Sequence, residues 1–204
     1  MSARAIYLAS KSPRRHELLR QLGVDVAELR LREAAGRGRD VVEKARPEET
    51  AASYVRRIAR AKATLGWHWM QKRALPPRPV LGADTEVVLD GMVFGKPADD
   101  ADAVRMLRLL SGRTHQVLTT IALRWDEQTI VVASTSSVTL RALDDGEIER
   151  YVATGESFDK AGAYAIQGLA ATFIRRIEGT YSGVMGLPLF ETAEALAQIG
   201  FPVL

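Results

Sequence analysis

This sequence has no cysteine. Disulfides, thiol nucleophiles and cysteine metal sites are therefore excluded, and the redox state of the compartment is left open. Its three histidines, His16, His68 and His115, lie far apart and never in H-x-x-x-H spacing, which argues against a zinc centre. His16 falls on a helix and His115 opens a strand, so structural roles are expected for both. No apolar run approaches the length of a membrane span. No signal-peptide pattern opens the chain, because Arg4 is followed by an apolar stretch only long enough for a strand. The expected compartment is the cytoplasm, with no membrane partner. There is no G-x-x-x-x-G-K-[ST] loop, no G-x-S-x-G elbow and no spacing that supports Ser-His-Asp chemistry. Internal repeats and low-complexity segments are also missing.

What is present is an ordinary globular composition. Of 204 residues, 47% are hydrophobic, enough to bury a sizeable core in one large domain or two small lobes. Charged residues make up 26% and are well mixed, which excludes a disordered chain. The net charge of +3 is mild and suits a small anionic ligand as well as a polymer. The densest basic cluster, Arg30, Arg32, Arg37, Arg39, Lys44 and Arg46, is interrupted by Glu33, Asp40 and Glu43. It reads as a solvated loop containing Gly36 and Gly38, and no nucleic-acid partner is expected.

Periodicity and punctuation predict a strand over Ala5–Ala9, then a helix over Pro13–Leu22 ended by Gly23, with Ser12 at its N-cap. Residues Ala27 to Lys44 show no clear period. A helix starts after Pro47-Glu-Glu-Thr50 and runs to Leu65 or beyond, with Ala52, Val55, Ile58, Ala59 and Ala63 on its apolar face. A Pro-rich linker over 75–79 precedes a strand over Val80–Asp84 that continues through Leu89. Asp90-Gly91 turns a hairpin into Met92–Phe94. Asp99 or Asp100 caps a helix through Leu110. Two long strands follow over Thr114–Arg124 and Thr129–Arg141. Asp144 and Glu147 form a capping box for a helix ended by Gly155. A strand over Phe173–Ile177 and a helix over Pro188–Ile199 complete an α/β chain with a mixed sheet. Trp67 and Trp69 form a helix-end patch, suited to core or partner contact.

The chemistry-bearing residues gather at strand ends and turns. Ser10-Lys-Ser-Pro-Arg-Arg15 places two guanidinium groups beside a helix N-terminus, where free N–H groups and the helix dipole favour anions. Arginine forks match phosphate oxygens. Asp84 follows a buried-looking strand, a place suited to a metal ligand or a base. Lys96 lies in the tight Gly95-Lys-Pro97 connection and Lys160 among small residues in Asp159-Lys-Ala-Gly162. Gln167 can both donate and accept hydrogen bonds, as reading a nucleobase requires.

These segments, with Gly82-Ala-Asp-Thr85, Leu110-Ser-Gly112 plus His115, and Gly186-Leu-Pro188, stand in the order found in Maf-like proteins. The chain resembles that family from about Ala5 to Leu196. The resemblance implies a nucleoside triphosphate pyrophosphatase that cleaves between the α and β phosphates. It also implies an inosine-triphosphate-pyrophosphatase-like fold, an elongated mixed β-sheet flanked by helices with a central cleft. By position, Asp84 matches the catalytic carboxylate. Arg14, Thr85 and Gln167 match positions tied to base preference. Ser10, Arg15, Lys62, Lys96 and Lys160 match polar positions around the triphosphate. Glu43 matches a second acidic residue, so Asp84 and Glu43 are the expected ligands of Mg²⁺ or Mn²⁺. Lys11 and the basic 27–39 segment depart from the family pattern. The run Asp159–Gly168 is similar to the subgroup acting on dTTP and UTP, with modified uridine triphosphates as further candidates. Alternatives are a preference for 7-methyl-GTP, or a nucleotide-binding cell-division regulator without turnover. The family further implies a homodimer, for which the Trp67/Trp69 region is one candidate surface.

Overall fold

The computed structural model describes residues 5–31 and 41–203. The predicted Gly36/Gly38 loop and Arg32, Arg37 and Arg39 lie outside the described residues. The described strands, β1 (Ala5–Leu8), β2 (Asp25–Glu28), β3 (Val80–Leu89), β4 (Met92–Phe94), β5 (Thr114–Trp125), β6 (Gln128–Leu140) and β7 (Ile174–Glu178), form a mixed seven-stranded sheet in the order β2-β1-β3-β5-β6-β7, with β4 paired to β3. The ladders β1·β2 and β1·β3 are parallel, while β3·β4 and β6·β7 are antiparallel. The chain divides into two compact units, and β3 (Val80–Leu89), β5 (Thr114–Trp125) and β6 (Gln128–Leu140) each pass from one to the other.

The first unit comprises Met1–Asp84, Thr119–Ser134 and Gly186–Leu204. It opens with β1 (Ala5–Leu8), buried throughout, as its unbroken apolar run requires. Then α1 (Pro13–Gln21) begins with proline in its first turn. Ser12 has the backbone of an N-cap, yet its side chain makes no capping hydrogen bond. Ser10 Oγ accepts the Ser12 N–H at 3.2 Å instead. The strand β2 (Asp25–Glu28) runs parallel to β1, in a stretch where the sequence showed no period beyond Ala27. Helix α2 (Ala51–Lys72) is capped by Thr50 Oγ1, which accepts from Ser53 N at 3.2 Å. Its buried face is Val55, Ile58, Ala59, Ala63, Gly66 and Met70. Ala52, expected there, is exposed because it sits in the first turn, before the helix reaches the sheet. The unit closes with α6 (Leu189–Gln198).

Small residues let α2 lie very close to the sheet. A Cβ on Gly82 of β3 would stand 2.5 Å from Ala59 O and 2.6 Å from Ala63 N. Ala59, Ala63 and Ala122 pack there with Val131 against them. Gly82→Ala should force helix and strand apart, at a cost of about 2 kcal/mol. Thermal unfolding should show Tm lower by about 6 °C, and an unchanged Tm would mean the contact is soft. Trp67 packs edge-on against Trp125 with ring centroids 5.9 Å apart, beside the cluster of Tyr7, Ala9, Leu29, Met70 and Val80. Trp67 is half-buried, so one side of it packs against the core, as the reading of a core or partner contact allowed. Trp69 lies under the cations of Lys72 and Arg73 at 5.1 and 5.0 Å.

The second unit comprises Thr85–Leu118 and Thr135–Met185. Here Asp90 and Gly91, both at positive φ (49° and 78°), make the two-residue turn into β4 (Met92–Phe94). Asp99 caps α3 (Asp100–Leu110), and the Asp144–Glu147 box opens α4 (Asp145–Ala153) as expected. Two 3-10 turns, Ala161–Ala163 and Leu169–Phe173, precede β7 (Ile174–Glu178) and the short α5 (Tyr181–Met185). Sequence periodicity missed both 3-10 turns and α5, which are too short to show one. His115 is 2% exposed, and its Nε2 lies 2.8 Å from Tyr164 Oη. Burial pushes its pKa down to about 4, so the ring is neutral at physiological pH and structural, as expected.

Candidate active site

Five of the expected site residues meet within the first unit. The loop after β1 supplies Ser10 and the first turn of α1 supplies Arg15. Arg15 Nη1 donates to Ser10 Oγ at 3.0 Å, and its Nε donates to the Gly186 carbonyl at 2.8 Å. This arginine is only 9% exposed. Burial holds its pKa below the ordinary value, Asp84 opposes that shift, Arg14 adds to it and Glu43 opposes it. A guanidinium remains charged under such pressure, so the turn keeps a fixed cation. Arg14, one residue earlier, is half-buried.

The close contact at Gly82 determines where α2 delivers Lys62. Two residues further along β3, Asp84 Oδ1 accepts from Lys62 Nζ at 2.8 Å. The same ammonium lies 2.7 Å from Glu43 Oε1. Lys62 therefore bridges two carboxylates that are 41 positions apart in the numbered chain, Glu43 and Asp84. Asp84 and Lys62 are mostly buried, with side chains 12% and 13% exposed, whereas Glu43 is 49% exposed. Burial raises the Asp84 carboxyl above its ordinary value. Lys62 and Arg15 pull it back, and Glu43 pushes it up again. Burial prevails despite the ion pair because two nearby cations do not replace a lost hydration shell.

Asp84 Oδ2 is buried and accepts no hydrogen bond among the described residues. A buried carboxylate oxygen left in this state is costly and marks a place for a ligand. The described residues contain no cluster of three or more His, Cys, Asp or Glu able to enclose a metal. One or two carboxylates are what Mg²⁺ ordinarily takes from a protein, keeping waters and substrate phosphates for its other positions. Asp84 and Glu43 fit that requirement.

The remaining expected residues lie in the second unit. Thr85 follows Asp84 on β3 and is half-buried. Gly162 N donates to Gly95 O at 3.1 Å, which brings the Lys96 and Lys160 segments together. Lys96 is exposed, 3.8 Å from Asp159, and Lys160 Nζ donates to its neighbour Phe158 O at 3.0 Å. Gln167 is exposed. Its loop is held by residues that the sequence did not single out. Tyr151 Oη accepts from Ala165 N at 3.1 Å, and the Glu156 carboxylate accepts from Leu169 N at 2.9 Å and Ala170 N at 3.2 Å. A Cβ on Gly168 would stand 2.2 Å from Glu156 Oε2, so a larger residue beside Gln167 would push that carboxylate off the N–H groups it accepts from. The one sequence signal for this arrangement was Gly168 itself.

The profile of the family described as Maf-like protein matches residues 5–199. A dTTP/UTP pyrophosphatase of Nitrosospira multiformis is 55% identical over 193 residues, covering 95% of this chain and 93% of that protein. One from Aromatoleum aromaticum is 53% identical over 199 residues, 97% of each. One from Chromobacterium violaceum is 51% identical over 196 residues, 96% of this chain and 95% of its own. Among solved structures, the Staphylococcus aureus Ham1 protein matches with a TM-score of 0.44 and 19% identity, covering 67% of this chain and 71% of that one. With the profile spanning almost the whole sequence and such relatives at half identity or more, this chain belongs to the Maf-like protein family.

Proposed function

We propose that this protein hydrolyses dTTP and UTP to the nucleoside monophosphate and pyrophosphate, removing them from the nucleotide pool. The observation that carries the chemistry is the unsatisfied Asp84 Oδ2 beside the cations Lys62 and Arg15. The substrate choice follows the relatives named dTTP/UTP pyrophosphatase.

In this reaction a water oxygen bonds to the α-phosphorus and the bond to the α–β bridging oxygen breaks. The electron pair of that bond leaves on pyrophosphate, and a proton from water is released. Asp84 Oδ2 is the atom assigned to orient this water, taking its proton or holding a metal beside it. A carboxyl raised above its ordinary value is a better base near neutral pH. Asp84 and Glu43 would hold Mg²⁺ or Mn²⁺, which when bound supplies charge neutralisation for the phosphates and a more acidic water. Arg15, Ser10 and Lys62 are assigned to the phosphate oxygens, as are Lys96 and Lys160. Arg14, Thr85 and Gln167 are assigned to the base. The protein acts in the cytoplasm as a homodimer, without nucleic acid or membrane. No described helix is long and apolar enough to cross a membrane.

The test is a panel of common and modified nucleoside triphosphates with Mg²⁺ or Mn²⁺, read as pyrophosphate released. Turnover of dTTP and UTP is expected. Tight binding of dTTP with no pyrophosphate formed would instead make the protein a nucleotide-responsive regulator. In the same panel, Gln167→Ala should lower the preference for dTTP over dCTP about tenfold, the worth of one or two hydrogen bonds. An unchanged ratio of kcat/KM values would remove Gln167 from base recognition.

A further inference from the structure

Helix α2 directs two cations at one segment. Lys62 meets the side chain of Glu43 at 2.7 Å. Five residues earlier on the helix, Arg57 grips the backbone beside it. Its Nε donates to Glu49 Oε1 at 2.6 Å, and Nη2 donates to Glu49 Oε2 at 2.7 Å and to the carbonyl of Lys44 at 3.0 Å. Glu49 Oε2 also accepts from Arg46 N at 3.0 Å, while Glu49 N donates to Arg46 O at 3.1 Å. The turn from Lys44 to Glu49 is thus closed on itself and clasped to α2 by one guanidinium. The carbonyl that Arg57 holds belongs to the residue directly after Glu43.

The clasp explains how a half-exposed glutamate reaches a mostly buried lysine. A side chain on a free loop would lose rotamer and backbone freedom to make that ion pair, and exposed pairs rarely repay such a loss. The Arg57–Glu49 fork fixes the loop first. The hydrogen bond from Arg57 also draws the Glu49 carboxyl down to about 2, so the clasp stays charged throughout the physiological range. The planar fork matters, because a lysine could hold Glu49 but not the carboxylate and the Lys44 carbonyl in the same geometry.

We propose that Arg57, through Glu49 and the Lys44 carbonyl, is a positioning residue that sets Glu43 for the metal and phosphate site. This rests on the reading of Glu43 as a metal-side carboxylate. The experiment measures Mn²⁺ binding to the nucleotide-free full chain by electron paramagnetic resonance, with dTTP hydrolysis followed separately. Arg57→Met should weaken Mn²⁺ binding about tenfold, the usual effect of removing a residue that orients a ligand. Arg57→Lys should recover part of that loss. Glu49→Gln should weaken binding in the same direction, which provides a second variant should Arg57→Met fail to fold. The deciding comparison is the double variant with Glu43→Gln, in which Arg57→Met should bring no further loss. Additive losses would overturn the proposal, as would wild-type binding by a folded Arg57→Met or no Mn²⁺ binding by the wild type. Failure of the wild type to hydrolyse any triphosphate would reject the proposed function while leaving the binding comparison to decide the role of Arg57.

Discussion

Asp84→Asn should lower kcat for dTTP by about a thousandfold, equivalent to ~4 kcal/mol of transition-state stabilisation. Asparagine keeps the shape of the side chain and the oxygen that faces Lys62. It loses the negative charge needed to take a proton or hold a cation. The same change should leave Tm at pH 7 equal to or above that of the wild type. Burial holds the Asp84 carboxyl above its ordinary value, so the folded state prefers its neutral form. Its contribution to stability is complete below the unfolded carboxylate range and is lost as pH rises through the raised folded value. The stability advantage of Asp84→Asn should therefore shrink as pH falls toward about 4. Thermal melts of both proteins across pH, with initial rates at pH 7, provide the test. A variant that turns over dTTP near the wild-type rate would end the assignment of Asp84.

Lys62→Met should have the largest effect on stability. It leaves the buried Asp84 carboxylate with its nearest cation gone and Glu43 still nearby. Removing one partner of a buried pair costs about 3 kcal/mol, and most of that cost falls on Asp84 because Glu43 is half-exposed and screened. Tm should fall by about 9 °C. Added Mg²⁺ should raise the Tm of this variant more than that of the wild type, because the cation replaces the missing charge. A Tm within about 2 °C of wild type would show that water already satisfies both carboxylates.

The parts of the fold that were legible share a cause. Caps and turns depend on residues a few positions apart, so Thr50, Asp99, the Asp144–Glu147 box and the Asp90-Gly91 turn all stood in plain view. The strand β2 did not, because its four residues begin and end with an acid and its existence depends on pairing with β1. Among the site residues, Ser10, Arg15, Asp84, Lys96 and Lys160 stood in visible motifs, whereas Lys62 and Glu43 came only from the family resemblance, and their meeting with Asp84 was not visible. That meeting depends on α2 seating over Gly82, and sequence shows only a glycine inside a strand, the usual sign of close backbone approach. Arg57 was harder still. Its partner Glu49 lies before the helix begins, outside the three- and four-residue spacings that reveal helical pairs.

The hydrogen bond from Arg15 to Gly186 joins positions 171 residues apart, which a ribosome adding about 5–20 residues per second would place some 10–30 s apart in synthesis. Throughout that interval Arg15 has no carbonyl to bury against and must remain hydrated. The first unit, assembled from three separated stretches of chain, therefore gains its Arg15–Gly186 contact only once the third stretch has been made. A nascent chain carrying Ser10, Arg15, Lys62 and Asp84 but not yet Gly186 has the charges of the site without the carbonyl that fixes the Arg15 guanidinium.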